Sequence, residues 1–286
     1  MKKLILFLGL LVSMLVLAAC GTAEENDGAE NEEVEDKVWA DIQERGEIVV
    51  GTAGTLFPAS YYPEDSDELT GYNVEVFREI ADRLDVDIKF EEMAYDAMLS
   101  ALQSGRVDII QAGPREESRE KFAFSEPVKY SYVTMIVRAD DLSGIETLED
   151  LEGKVAGGAA TTVYSEIARK YGAEVKTYGN VTNDAYLRDV ANGNTDVVIN
   201  DYYLQSLALT AFPELNITLH PDLKMHPTTN NVVMKKEATV LLEKINEIVA
   251  DMKEDGTLTE LSAEFFGGLD VSKEPDEEII EIEGIE

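Results

Sequence analysis

The side chains able to do covalent or metal chemistry are few in this 286-residue chain. It holds one cysteine, Cys20, and two histidines, His220 and His226, each followed by a proline. No disulfide can close within the chain, and no cysteine-based zinc or iron–sulfur site can form. The two histidines read as solvated loop residues rather than as a metal pair. There is no Ser-His-Asp or Cys-His set, and the abundant carboxylates show no paired spacing. No catalytic residue, cofactor or metal is therefore expected. What remains is the chemistry of holding a small molecule. Thr161 and Thr162 end a small-residue loop, Gly157-Gly158-Ala159-Ala160, where a helix should begin. Hydroxyls and free N–H groups at such a point can cap the helix or hold an anion. Asp201 closes the apolar run Val197-Val198-Ile199 and precedes another helix. Ligands of open α/β sheets sit off the carboxyl ends of strands, so Asp201 is placed to face a ligand or to cap that helix.

These residues depend on the elements around them, and the pattern is one of strand–helix alternation. Strands are expected at 47–51, 86–90, 107–110 and 130–137. Helices are expected at 73–84, where Val74, Phe77, Ile80, Ala81 and Leu84 form one stripe, and at 97–102. A second set follows Asp140: strands at 154–157, 174–178, 196–199 and 231–235, with helices at 163–171, 184–191, 202–209 and 240–253. The order strand, loop, helix, strand, helix, short Asp-led strand occurs twice, with Val107-Asp108-Ile109-Ile110 matching Asp196-Val197-Val198-Ile199. Alternation of this kind implies mostly parallel sheets faced by helices. Two sets built alike imply two Rossmann-like α/β lobes with a cleft between them. Chain crossings between the lobes are expected near 138–140 and 231–235.

The ends differ from the body. Lys2 and Lys3 precede an almost unbroken apolar run, Leu4 to Leu17, of about 14 residues, shorter than the roughly 20 that span a bilayer. The ending Leu17-Ala18-Ala19-Cys20 resembles a bacterial lipobox. That resemblance implies a signal peptide over 1–19, cleavage before Cys20 and diacylglycerol on its sulfur, an anchor that holds the protein on a membrane without spanning it. Residues 20–38 are rich in Glu and Asp and read as an extended acidic tether. Residues 273–286 are mostly Glu, with Ile279, Ile280, Ile282 and Ile285 scattered among them, and read as a disordered acidic tail.

Motifs in the body point to a family. Arg45-Gly46-Glu47-Ile48-Val49-Val50-Gly51-Thr52 resembles the opening strand of the extracellular solute-binding proteins for polar amino acids. Gly71-Tyr72-Asn73-Val74-Glu75-Val76 is similar to that family's turn into its first helix. Tyr95 to Asp108 is similar to its W-D-x-L-x-x-A-L-x-x-G-[KR]-x-D block, with Tyr95 in place of the Trp. Phe124-Ser125-Glu126-Pro127 resembles its F-S-x-P element, and Asp255-Gly256-Thr257-Leu258 with Phe265-Phe266-Gly267 its closing helices. The resemblance covers about 39–272 and is nearest to the lipoproteins of the cystine and polar amino-acid binders.

The resemblance implies a two-lobed fold joined by a two-strand hinge, with lobe 1 at 39–138 and 236–272 and lobe 2 at 139–235. It implies the receptor of an ABC importer, on the extracytoplasmic face of the cell membrane, that delivers a polar amino acid to permease subunits. It further implies that an Arg before the F-S-x-P element forks onto the ligand carboxylate. Arg119 is the first choice and Arg115 the rival, because the segment Ala112 to Arg119 departs from the family pattern and leaves Arg119 one residue close to Phe124. Thr161 and Thr162 would take the other side of the carboxylate, and Asp201 the ammonium. Phe57, Tyr61, Tyr62 and Tyr95 are candidates for an aromatic wall, and Glu116 and Glu117 for a cationic ligand side chain. A monomer is expected. The alternatives are a dehydratase-like enzyme on the same fold, a binder of another small solute, and a sensor, which would need a spanning helix and a cytoplasmic domain.

The charge narrows the partners. There are 58 Asp and Glu against 24 Lys and Arg, a net charge of −34. Such a surface repels phosphate backbones, so no nucleic-acid partner is expected.

Overall fold

The computed structural model describes residues 37–285. The lipobox, the apolar run and all but the end of the acidic tether lie outside the described residues.

A helix not foreseen in the sequence, α1 (Lys37–Arg45), starts the body and buries Trp39 and Ile42, three residues apart on one face. β1 (Glu47–Thr52) follows and lies between β2 (Asp87–Glu92) and β3 (Ile109–Ala112), parallel to both. The helices α2 (Tyr72–Leu84) and α3 (Tyr95–Ser104) make the connections. Gly71 enters α2 with φ 125°, and a Cβ there would stand 2.6 Å from the Ala59 carbonyl group. Only glycine lets α2 approach the 56–60 turn so closely, and the contact is held by N–H bonds from Tyr72 to Pro58 and from Asn73 to Ala59.

After a one-turn helix, α4 (Glu116–Arg119), the chain enters β4 (Phe122–Arg138), a 17-residue strand. It returns much later as β9 (Met225–Lys235), antiparallel to both β4 and β3. Between them lie β5 (Val155–Gly158), α5 (Val163–Lys170), β6 (Glu174–Thr177), α6 (Asn183–Ala191), β7 (Val198–Asp201), α7 (Tyr202–Ala211) and β8 (Ile217–Leu219). β5 and β6 are parallel, and a bridge from Ala156 to Val197 joins them to the β7 segment. β7 and β8 both run antiparallel to the far half of β4. The closing helices are α8 (Thr239–Glu254) and α9 (Thr257–Phe265).

The fold is thus two α/β lobes that share β4 and β9. One core gathers Ile48, Val50, Phe77, Ile80, Ile109, Ala123, Val128, Val232, Ile245, Phe266 and Val271. The other gathers Val133, Met135, Val137, Ile145, Leu151, Ala156, Ile167, Val197, Ile199 and Met225. β4 therefore passes from one core to the other between Val128 and Val133, and β9 between Met225 and Val232. The crossings were expected near 138–140 and 231–235. They come earlier because β4 begins at Phe122 rather than Tyr130, running through Pro127 on register shifts beside Pro127 and between Tyr132 and Val133. Bulges admit a proline and bend a strand.

The expected disordered tail is ordered through residue 285. After Val271, buried in the first core, the chain runs to the second lobe. Ile280 pairs with Met225 through N–H bonds of 2.9 Å to Lys224 and 2.7 Å from His226, and Ile282 is 4% exposed in the second core. Ile280 is 46% exposed and Ile282 is buried; residues two apart in a regular strand share a face, so the chain turns over between the bridge at Ile280 and the core position at Ile282. The segment is hidden in the sequence because acidic residues surround its few isoleucines. Among the described residues the chain therefore crosses between lobes three times.

Candidate functional site

A cavity of about 760 Å³ lies between the lobes, within the range of small-molecule sites. Its walls come from the carboxyl ends of β1, β3, β5 and β7, from the helices that follow, and from the crossing strands.

At the crossing strands, Lys129 and Asp201 form an ion pair in which Lys129 Nζ donates to Asp201 Oδ2. Their side chains are only 6% and 5% exposed. β7 ends on Asp201, whose other oxygen, Oδ1, accepts the Leu204 N–H at 2.9 Å and caps α7. The Lys129 ammonium also stands 5.6 Å from the Phe266 ring and 6.0 Å from that of Tyr203. Asp201 is thus at the strand end that the sequence indicates, and it caps the helix that follows. The cation it holds is one of the protein's own.

Elsewhere the lobes meet only through side chains and loops. Asp96, on the first turn of α3, accepts from the backbone N–H groups of Ala160 and Thr161, each at 2.9 Å, and from the Thr161 hydroxyl at 2.7 Å. Arg115 Nη1 donates to the Thr161 carbonyl at 2.6 Å and pairs with Glu166 on α5 at 2.6 Å. Burial pushes the Glu166 carboxyl up, and the Arg115 guanidinium opposes that rise. Asn180 donates to the Ala53 carbonyl at 2.9 Å, and Thr55 donates to the Asn180 amide oxygen at 3.0 Å.

Of the residues singled out in the sequence, Arg119, Arg115, Thr162, Asp201 and Tyr95 line the cavity. Thr162 Oγ1 accepts the Ser165 N–H at 3.2 Å, so it caps α5 as well. Arg119 lies on the exposed side with its guanidinium 5.7 Å from the Phe124 ring. It has no carboxylate partner among the described residues. Tyr95 is half-buried, and burial pushes its phenol up to about 12 against the pull of Arg115. Thr161 faces Asp96 rather than the cavity, because N–H groups at a helix start attract the nearest anion and Asp96 is that anion. Phe57 and Tyr61 are also outside the lining. Leu56 and Ser60 exchange backbone bonds of 2.7 and 2.8 Å, so the tight turn carries Phe57 at its tip, 38% exposed and edge-on to Tyr61 at 4.9 Å. Leu56 and Ala59 line the cavity in their place. Tyr62 is exposed and donates to Glu92 at 2.5 Å, while Glu116 and Glu117 are exposed and outside the lining.

Besides Tyr95, the aromatic lining comes from Phe77, Tyr130 and Phe266 and, in the second lobe, from Tyr164, Tyr178 and Tyr186, the last two with ring centroids 4.5 Å apart. Burial, aided by Asp201 and Tyr95, pushes the Tyr164 phenol up. Tyr178 donates to Asp189 at 2.5 Å, and burial with that bond pushes it up to about 12. Gln111 at the end of β3 is 8% exposed, lines the cavity, and has no hydrogen-bond partner for either amide atom. Asn183 at the start of α6 likewise has an unpartnered Nδ2. Sequence reasoning missed Asp96, Lys129, Gln111 and the 178–186 wall. The available signals were Asp96 within the quoted Tyr95–Asp108 block and a lysine at 129 just ahead of an apolar strand.

Neither histidine is a solvated loop residue. His220 is buried, with Nε2 3.0 Å from the Ile145 carbonyl and Nδ1 accepting from Asp222 and Leu223. His226 lines the cavity, and burial holds its imidazole below the ordinary value. Among the described residues no group of three or more His, Cys, Asp or Glu is placed to hold a metal, and no helix is long and apolar enough to cross a membrane.

Residues 48–268 match the family model described as bacterial extracellular solute-binding proteins, family 3. The chain is 52% identical over 286 residues to YckB of Bacillus subtilis, a probable ABC transporter extracellular-binding protein, covering 99% of this chain and 98% of that one. It is 32% identical over 275 residues to the L-cystine-binding protein TcyA of the same organism, covering 96% and 100%. A crystal structure of YckB superposes with a TM-score of 0.68 at 55% identity, covering 86% of this chain and 99% of that one.

Proposed function

The chain belongs to the bacterial extracellular solute-binding proteins, family 3, and from that premise we propose that it captures a polar amino acid between its lobes and delivers it to an ABC permease. The family is that of the substrate-binding proteins of amino-acid ABC transporters. One observation carries the rest of the reading: a cavity of about 760 Å³ with Arg119 in one lobe and Asp201 in the other. An α-amino acid carries one carboxylate and one ammonium a fixed distance apart, and a closed two-lobed cleft can face both.

In this reading Arg119 takes the carboxylate, since its guanidinium is not committed to a carboxylate of the protein. Arg115 is the clamp between lobes, being bound to Thr161 and Glu166. Thr162 contributes its hydroxyl, Asp201 faces the ammonium, and Tyr95 with Tyr164 contacts the side chain. Residues 1–19 are a signal peptide, Cys20 carries the lipid anchor, and the following acidic residues are the tether. The protein acts as a monomer on the extracytoplasmic side of the membrane and catalyses no reaction. The core memberships of Val128, Val133, Met225 and Val232 support lobe boundaries near 128–133 and 225–232.

Isothermal titration against a panel of amino acids tests this. Binding of at least one polar amino acid is expected, weakened about tenfold or more by Arg119→Lys, which keeps charge and loses the fork, and less by Arg115→Lys. No heat with any amino acid would overturn the reading, and the reverse order of the two arginines would exchange their roles. Retention of Cys20→Ala on the membrane after a high-salt wash would remove the anchor.

A further inference from the structure

The cleft holds a cation that the amino-acid reading does not use. Lys129 lines the cavity from β4, where the strand passes between lobes, and its ammonium is bound to Asp201 beneath the rings of Tyr203 and Phe266. Both side chains are more than nine-tenths buried. Burying two charges is costly unless they stay paired, so the pair persists when the lobes close.

The remaining lining charges are accounted for. Among the described residues, Asp96 is bound to Ala160 and Thr161, Arg115 to Glu166, Arg119 is left to the ligand carboxylate, and Glu274 is exposed at the edge. Asp201 is therefore the one buried lining carboxylate that faces a cation, and Lys129 already neutralises it. A carboxylate has about four lone-pair positions, and two of those on Asp201 are taken, by Lys129 and by the Leu204 N–H. One ligand ammonium can still share it. A second ligand cation would meet no buried counter-charge and would lie in the field of Lys129.

We propose that Lys129 determines the charge class of the ligand: the cleft rejects amino acids with a cationic side chain and takes those whose far end is neutral and polar or carries a second carboxylate. The proposal rests on the amino-acid reading above. A like charge about 5 Å away in a partly buried site weakens binding on the order of a hundredfold. A ligand carboxylate in the same place gains from Lys129 instead. Exposed Glu274 at the edge is too well screened to reverse the preference.

The experiment is titration of the full chain with L-glutamate, L-glutamine, L-serine, L-arginine and L-lysine, for wild type and Lys129→Met. Wild type should bind one of the first three at least about a hundredfold tighter than the last two, and Lys129→Met should bring that ratio within about tenfold. Lys129→Arg should keep it. Where the single variant is too unstable to titrate, Lys129→Met/Asp201→Asn removes both charges. Its affinities fall together, and the ratio is still readable. Arginine bound by wild type as tightly as glutamine, or an unchanged ratio after Lys129 is removed, overturns this inference while the amino-acid reading stands. A wild type that binds none of the five but binds another amino acid overturns this inference alone, and one that binds no amino acid overturns both.

Discussion

The lobes meet in two different ways. On one side the chain itself crosses, in β4, in β9 and in the segment between Val271 and Ile280, and the buried Lys129–Asp201 pair lies among those strands. On the other side only side chains and loops meet: Asp96 with the start of α5, Arg115 with Thr161 and Glu166, and Asn180 with Ala53 and Thr55. Backbone crossings cannot part, so the first junction can only bend. Side-chain contacts can break one by one, so the second can open. Defects at the first junction should appear as lost stability, and defects at the second as lost closure with stability kept.

The largest effect is expected at the crossing strands. Asp201→Asn can still cap α7, yet it leaves Lys129 buried without a counter-charge. That should cost about 3 to 5 kcal/mol of unfolding free energy in urea titration. A variant as stable as wild type would mean that the pair contributes nothing to this junction. Ile282→Ala comes next. It empties a buried position in the second core and should cost about 2 to 3 kcal/mol, the low end for such a truncation because the site is near the chain end. Removal of 273–286 should do at least as much. If the shortened chain unfolds like wild type, the third crossing is only laid on the surface.

At the other junction, Asp96→Ala removes the acceptor of two N–H groups and a hydroxyl that meet only when the lobes are closed. Ligand affinity should fall about ten- to a hundredfold, while urea stability without ligand changes little. Small-angle scattering should show a larger radius of gyration than wild type at equal ligand. Unchanged affinity would place the closing energy elsewhere, in Arg115 or Asn180.

The smallest effect is one of pH. Burial holds His226 below its ordinary value of 6.5, with Glu281 pulling weakly the other way. The unfolded chain therefore takes up a proton first as pH falls through 6.5. Stability should decline below that pH until the folded histidine also protonates. His226→Asn should flatten the urea-measured slope between pH 7.5 and 5, and an identical slope would assign it to other groups.

Much of this was legible along the chain. The α2 stripe, Thr162 as a cap and Asp201 at a strand end follow from local periodicity and from the donors that every helix start exposes. β4 was read eight residues short because Ser125-Glu126-Pro127 looks like a break, and only pairing with β9 across register shifts carries the strand through it. The tail was misread for the opposite reason. Its apolar residues are too few to fold by themselves, and they become ordered only because the edge at Met225 and a place in the second core are there to receive them. Phe57 was misplaced because residue type does not tell which side of the five-residue turn 56–60 faces inward.

By itself the sequence determined the two α/β lobes, the order of their elements and the positions where polar groups end strands and start helices, since these depend on neighbours a few residues away. Which charge meets which was decided by tertiary structure alone. Lys129 and Asp201 are 72 residues apart, and Asp96 and Thr161 are 65 apart. Their meeting depends on the register of β4 against β7 and on the closing of one lobe over the other. A buried charge takes the nearest opposite partner, and nearness at such separations is set by how the lobes pack.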